Sequence, residues 1–249
     1  MADFHQNGNI TTLHNLRTRS LEEMEHELAV FGQSRKISLI LPCLYSELER
    51  DAMPNILSEL AKVKYLHRII IGLDAADEAQ FRHAKEFFKD LNQNHIVIWN
   101  DSPRMLALGA RLEAMGLAPS EQGKGKNVWA SLGYLIGCAD SAVMALHDCD
   151  IVTYEKGLLA RLVYPVANPD FPYQVSKGYY PRIGGGKLNG RVTRLLVSPL
   201  LIALKKVVGD RDYIEYLRSF RYPLSGEFAM RTAILPDLRI PSDWGLEIG

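Results

Sequence analysis

Ala142-Val143-Met144-Ala145-Leu146-His147-Asp148-Cys149-Asp150 is an apolar run that stops in two carboxylates one residue apart, and its reading decides the fold. Five consecutive apolar residues suit a strand buried on both faces, which belongs in a parallel sheet covered by helices. With extended geometry past Leu146, side chains alternate, so Asp148 and Asp150 project together while Cys149 points away. Two carboxylates held side by side repel each other, and a hard divalent cation or protonation of one acid relieves the repulsion. Open α/β sheets bind ligands at such strand ends. Taken alone, Asp-x-Asp after a strand serves equally as a solvated turn, and the surrounding chain decides between the two.

Upstream, the chain alternates strand and helix. Ser20 and Glu23 form a capping box for a helix over Leu21 to Phe31, whose Leu21, Met24, Leu28 and Phe31 share one face. Ile37 to Leu41 reads as the first core strand, ending at Pro42, and Ser46 or Asp51 caps the helix after it. Arg68 to Leu73 is a second buried strand with a polar exit at Asp74. A helix from Ala79 to Leu91 and a strand from His95 to Trp99 follow, then a helix from Pro103 to Leu117. This alternation predicts an α/β fold with a doubly wound, mostly parallel sheet. Four strands then end in polar clusters on one rim.

Gly123-Lys124-Gly125-Lys126-Asn127 precedes an apolar helix from Val128 to about Ala139, with Asn127 as its N-cap. Glycines around a lysine at a helix start let the backbone approach an anion, although a plain flexible loop has the same composition. The spacing is not that of a Walker loop. Downstream, Lys156 to Val166 reads as a helix, Tyr173 to Tyr180 as a strand, and Gly184-Gly185-Gly186 as a flexible point suited to a flap. Gly190-Arg191-Val192-Thr193 opens a helical run, where free N–H groups, an arginine and a threonine suit an anion.

Composition narrows the function classes. The 249 residues fit one large domain or two small ones, and 29 basic residues balance 29 acidic ones, so no global field draws the chain to nucleic acid or an anionic membrane. The three cysteines, Cys43, Cys138 and Cys149, lack zinc-type spacing and point to a reducing compartment. The amino terminus is polar without a signal core, and the longest apolar stretch, near Leu195 to Leu204, is too short to span a bilayer. A soluble cytoplasmic protein is expected. Organisation is expected as an arm and helix over 1–36 and one catalytic domain over 37–249. Gly-x-Ser-x-Gly and His-Glu-x-x-His motifs are absent.

An ordered set of short motifs carries a resemblance that covers the chain from about Ile37. Leu41-Pro42-Cys43-Leu44-Tyr45-Ser46-Glu47, Gly123-Lys124-Gly125, Asp148-Cys149-Asp150, Gly190-Arg191-Val192-Thr193, Pro223-Leu224-Ser225-Gly226-Glu227 and Gly245-Leu246-Glu247-Ile248-Gly249 resemble the retaining GT-A glycosyltransferases of the glucosyl-3-phosphoglycerate synthase type. The resemblance implies transfer of glucose from UDP-glucose to 3-phosphoglycerate with Mg²⁺ or Mn²⁺ as cofactor. It places the uracil and ribose on the Pro42 to Glu47 segment, Leu44 included, with Glu47 on the ribose hydroxyls and Asp74 facing base or ribose. Lys124 would reach the diphosphate and reacting centre. Asp150 would bind the metal directly, with Asp148 on the ribose or on metal-bound water. Gly190, Arg191, Val192 and Thr193 would cradle the acceptor's phosphate. Glu247 would orient the sugar hydroxyls, and Leu224, Gly226 and Glu227 would shape the sugar pocket. In the family the chain continues beyond Gly-Leu-Glu-Ile-Gly to a histidine metal ligand, so this sequence looks like a version shortened at its C-terminal end.

Neighbouring readings keep the chemistry with GDP-mannose as donor or free glycerate as acceptor. Others are a nucleotidyltransferase releasing pyrophosphate and a catalytically silent nucleotide-sugar-binding fragment. The oligomeric state stays open, a homodimer included.

Overall fold

The computed structural model describes residues 10–13, 19–118, 121–179, 183–184, 187–188, 192–222 and 225–240. In chain order the first elements are α1 (Leu21–Ser34), β1 (Ile37–Leu44), a 3₁₀ turn (Tyr45–Glu49), α2 (Ala52–Leu60), β2 (Leu66–Asp74), α3 (Glu78–Phe87), β3 (His95–Trp99) and α4 (Pro103–Ala114). Then come α5 (Lys124–Cys138), β4 (Val143–Leu146), α6 (Lys156–Ala167), β5 (Val175–Lys177), β6 (Ile183–Gly184) and β7 (Lys187–Leu188). A π-helical turn (Val192–Val197), α7 (Ser198–Val208), α8 (Asp212–Ser219), β8 (Phe228–Arg231) and a 3₁₀ turn (Thr232–Asp237) complete them.

Six strands form one sheet in the order β3-β2-β1-β4-β8-β5. The pairs among β1, β2, β3 and β4 are parallel, and β8 joins β4 antiparallel, so the sheet is mostly parallel as the alternating pattern predicts. Period-2 alternation splits the strands between two buried faces. Ile40, Ile70, Met144, Leu146, Phe228 and Met230 pack on one side with Val128, Leu132 and Leu135 of α5. Leu39, Leu41, Ile69, Ile71, Val143 and Ala145 are buried on the other. There α6 packs on β4 and β8, and α1 packs on α6.

Several element boundaries differ from the sequence expectation, two of them for a clear physical reason. β1 runs through Pro42 to Leu44 rather than stopping at the proline. The β1–β4 register ends at Ile40 opposite Leu146, with His147 N–H donating to Ile40 O. The next rung of that parallel ladder would require an N–H on Pro42, which proline lacks. Toward β2 the pairing continues through Pro42↔Gly72 to Leu44↔Asp74. Pro42 thus ends one ladder and leaves the other intact.

The helix expected from Val128 begins at Lys124, and Asn127 is no N-cap. Asn127 is 3% exposed and turns inward, donating from Nδ2 to the Gly72 carbonyl at 2.7 Å. A Cβ at Gly72 would overlap the Asn127 carboxamide and lie 2.6 Å from Ser131 Oγ, so glycine on β2 permits the close approach of α5. At the start of α1, Ser20 Oγ accepts from Glu23 N–H at 3.1 Å. Around α3, Asp77 and Gln80 form a capping box that sequence reading missed. β5 is confined to Val175–Lys177.

By packing, the chain divides into two compact units. The larger comprises Arg19–Ser176 and Gly226–Gly249. The smaller comprises Met1–Thr18 and Lys177–Ser225. Within the smaller unit β6 and β7 pair antiparallel, and α7 packs on α8. Lys205 there bridges Asp210 at 2.7 Å and Glu215 at 2.8 Å.

Candidate functional site at the strand ends

Chain order sends β2 and β3 to one side of β1 and β4 to the other, so the sheet has its topological switch point between β1 and β4. Such points open a crevice at the carboxyl ends of the strands, where the chain leaves in opposite directions. Several of the predicted site residues among the described ones lie at this rim. From β1 come Pro42 and Leu44, the latter 46% exposed. Glu47 lies in the turn that follows, and one carboxylate oxygen accepts the Leu44 N–H at 2.8 Å. Asp74 ends β2 directly beside Leu44, and Lys124 opens α5.

β4 stops at Leu146, so the Asp-Cys-Asp segment is no longer strand. Its burial still alternates, with Cys149 2% exposed and Asp148 and Asp150 turned outward. Asp148 forms an ion pair with Lys124 Nζ. Its other oxygen faces Gly226, where an added Cβ would lie 2.6 Å from Oδ2. The rim thus carries an ammonium group, two outward carboxylates and a glycine whose missing side chain lets the Asp148 carboxylate approach the backbone closely.

The electrostatics reflect crowding of negative charge. Burial raises the Glu47 carboxyl above its ordinary range; the Leu44 N–H opposes this, and the charges of Asp150 and Asp148 add to it. Burial likewise raises Asp74, which accepts Asn100 Nδ2 at 2.7 Å. Behind the acids, His147 is 1% exposed, neither ring nitrogen has a partner, and burial lowers its pKa to about 4. The imidazole is therefore neutral and meets Tyr154 edge to face. The Cys149 thiol is held well above its usual range by its hydrogen bond with Cys43, and then by burial.

Glu227 is buried at 4% exposure. Val192 and Thr193 lie in the π-helical turn of the smaller unit. Gly190, Arg191, Leu224 and Glu247 lie outside the described residues, as does most of the Gly184-Gly185-Gly186 segment. Sequence reading takes Asn127 for an N-cap and gives Asn100 no site role; an amide three residues into a helix announces no partner until β2 is known to pass beneath it.

The two outward carboxylates, whose charges both act on Glu47, fit a hard divalent cation with oxygen ligands. Among the described residues, one group of three possible ligands has all its atoms within 4.8 Å of one another, namely Cys43, Glu47 and Cys149. No helix among the described residues is long and apolar enough to cross a membrane.

Comparison with known proteins adds the following. No family model matches the chain. It is 50% identical over 248 residues to glucosyl-3-phosphoglycerate synthase of Persephonella marina, covering 100% of this chain and 61% of that protein. It is 40% identical over 250 residues to the enzyme of that name from Methanococcoides burtonii, covering 99% of this chain and 61% of that one. The chain therefore spans about three-fifths of the length of these relatives. Among solved structures, glucosyl-3-phosphoglycerate synthase from Mycobacterium tuberculosis in complex with Mn²⁺ and UDP-glucose superposes with a TM-score of 0.59. Identity is 24%, with 90% of this chain and 66% of that one covered. A second structure of that enzyme, with Mn²⁺, UDP and glucosyl-3-phosphoglycerate, gives a TM-score of 0.57 at 21% identity over 94% of this chain and 67% of that one. These likenesses show the fold alone, a GT-A-like α/β architecture.

Proposed function

We propose that this chain belongs to the glucosyl-3-phosphoglycerate synthase family, and from that premise that it binds UDP-glucose at the strand-end rim and passes the glucosyl group, with retention, to a hydroxyl of 3-phosphoglycerate. The observation that carries the reading is the convergence of Glu47, Asp74, Lys124, Asp148 and Asp150 around one switch-point crevice, beside a glycine pressed on a carboxylate.

The bond that breaks joins the anomeric carbon to a diphosphate oxygen, so negative charge accumulates on the departing nucleotide. Lys124 is the cation at hand; on donor binding its ammonium exchanges the Asp148 carboxylate for phosphate oxygens. The free N–H groups of the first turn of α5, a 15-residue helix, add positive potential at the same place. Asp150, with Asp148, would hold Mn²⁺ or Mg²⁺, which when bound supplies positive charge against the diphosphate. Glu47 takes the ribose hydroxyls, positioned by the Leu44 N–H, while Pro42, Leu44 and Asp74 line the base and ribose. Glu247, with Leu224, Gly226 and Glu227, holds the sugar. The cradle of Gly190, Arg191, Val192 and Thr193 takes the acceptor phosphate. None of these residues is an obvious nucleophile, so the acceptor attacks from the face the nucleotide leaves, and a donor phosphate oxygen takes its proton. A reducing cytoplasm, where three free thiols persist, is the setting.

Melting the protein against a panel of nucleotide sugars and nucleoside triphosphates, with and without Mn²⁺ or Mg²⁺, tests the donor. A ligand that binds only the native state raises the melting temperature by mass action. UDP-glucose with metal is expected to give the largest rise. An equal rise with GDP-mannose removes the donor assignment, and a larger rise with nucleoside triphosphates removes the class.

A further inference from the structure

The three cysteines show no ligand spacing along the chain, yet two of them meet in space. Cys43 on β1 and Cys149 in the segment after β4 are hydrogen-bonded to each other beyond the end of the β1–β4 ladder. Both are buried, at 1% and 2% exposure. The third group is Glu47, half-buried, with one oxygen taken by the Leu44 N–H. Cys43 Sγ points to Leu44 O at 3.3 Å, so the three residues Cys43, Leu44 and Glu47 are tied into one turn.

We infer that Cys43, Cys149 and Glu47 form a binding site for a thiophilic divalent cation of the Zn²⁺ or Cd²⁺ class, separate from the hard-oxygen pair Asp148 and Asp150. One atom from each residue already lies within 4.8 Å of the others. Zn–S bonds of about 2.3 Å in a tetrahedral site put two sulfurs roughly 3.8 Å apart. The contraction required is therefore about 1 Å or less, within what side-chain rotation supplies. Two sulfurs and one oxygen leave a fourth position for water on the half-exposed side of Glu47. Soft thiol ligands select Zn²⁺ or Cd²⁺ over Mg²⁺ and Mn²⁺, which prefer carboxylate and water. On binding, each sulfur exchanges its S–H bond for an S–metal bond, two protons pass to buffer, and no electrons are transferred. The hydrogen bond from Leu44 N–H to Glu47 is the kind of outer contact that orients a ligating carboxylate.

Cd²⁺ is the probe, because its bonds to sulfur give an ultraviolet charge-transfer absorption that carboxylates do not. Titrating the reduced chain with Cd²⁺ is expected to raise this band to saturation at one ion per chain. Excess Mn²⁺ should not displace it. Cys43→Ser and Cys149→Ser should each lose at least half of its amplitude, and Cys138→Ser should keep it. Glu47→Gln should keep the band with at least tenfold weaker affinity. Should a serine variant fail to fold, as judged by its melting transition, Cys43→Ala and Cys149→Ala suit the same buried positions. The Mn²⁺ competition and Glu47→Gln require no cysteine change. Absence of a band in the unaltered chain, its loss to Mn²⁺, or its survival in both Cys43 and Cys149 variants overturns the site.

Discussion

Gly226 presses its Cα against the Asp148 carboxylate. Alanine there would put a methyl group 2.6 Å from Oδ2, closer than real Cβ atoms come to a neighbour, so the carboxylate must shift and its pairing with Lys124 is disturbed. Gly226→Ala is expected to weaken metal-dependent UDP-glucose binding at least tenfold, which titration calorimetry reads directly. Lys124→Met removes a charge-assisted contact of about 1.5–3 kcal/mol. That corresponds to roughly a ten- to hundredfold loss of donor affinity. The protein's own melting temperature should hold, because the ammonium is partly exposed and supports no core packing. A variant that binds UDP-glucose normally takes Lys124 out of donor recognition. At this scale the sequence was most informative where chemistry is dense, since Asp148, Lys124 and Glu47 stand out by type and order. It makes Asn127 an N-cap and gives Asn100 no role, because both amides act through strands distant in the chain.

At the level of single elements, α5 shows how the site is held. Its first turn carries Lys124, and its position is fixed where Asn127 donates to Gly72 O on β2. Asn127→Ala leaves a buried carbonyl without its donor and is expected to cost about 1–3 kcal/mol, seen as a lower denaturant midpoint. The helix ends at Ala139 with φ +51°, a left-handed conformation that penalises a Cβ. Ala139→Gly should therefore raise stability by about 0.5–1 kcal/mol, and a lower melting temperature would contradict the strain. Helix and strand existence was legible from periodicity throughout β1 to α4. The starting residue of α5 was not, because asparagine suits an N-cap by local rules. Here a tertiary contact overrode the local preference, and the helix grew backward to Gly123.

Over the molecule as a whole, the rim opposite the site is braced by Asp140, which accepts His67 Nε2 at 3.0 Å and Arg68 Nη2 at 2.7 Å. These contacts, the His67 hydrogen bond foremost, hold the Asp140 carboxyl below its usual range. Folded Asp140 therefore binds its proton more weakly than the unfolded chain does. Its contribution is complete above the ordinary aspartate pKa of about 3.9 and is lost as pH falls through the depressed folded value. Asp140→Asn is expected to cost about 1.5–3 kcal/mol at pH 7. Its melting temperature should converge on that of the unaltered chain under acid; a gap that stays constant down to pH 2 would exclude this account. The parallel sheet was readable from strand, helix and strand in alternation. The antiparallel β8, arriving far downstream between β4 and β5, was not, since a four-residue strand with three apolar residues carries no orientation.

Pro42 acts like the stop on a zipper. The absent hydrogen on its nitrogen is what keeps the two segments beyond Ile40 and Leu146 from fastening by one more tooth. Valine at this position would supply the missing rung to His147 O, and such a variant should withstand more heat while admitting less nucleotide sugar. Ruggedness and access are then set against each other by a single atom.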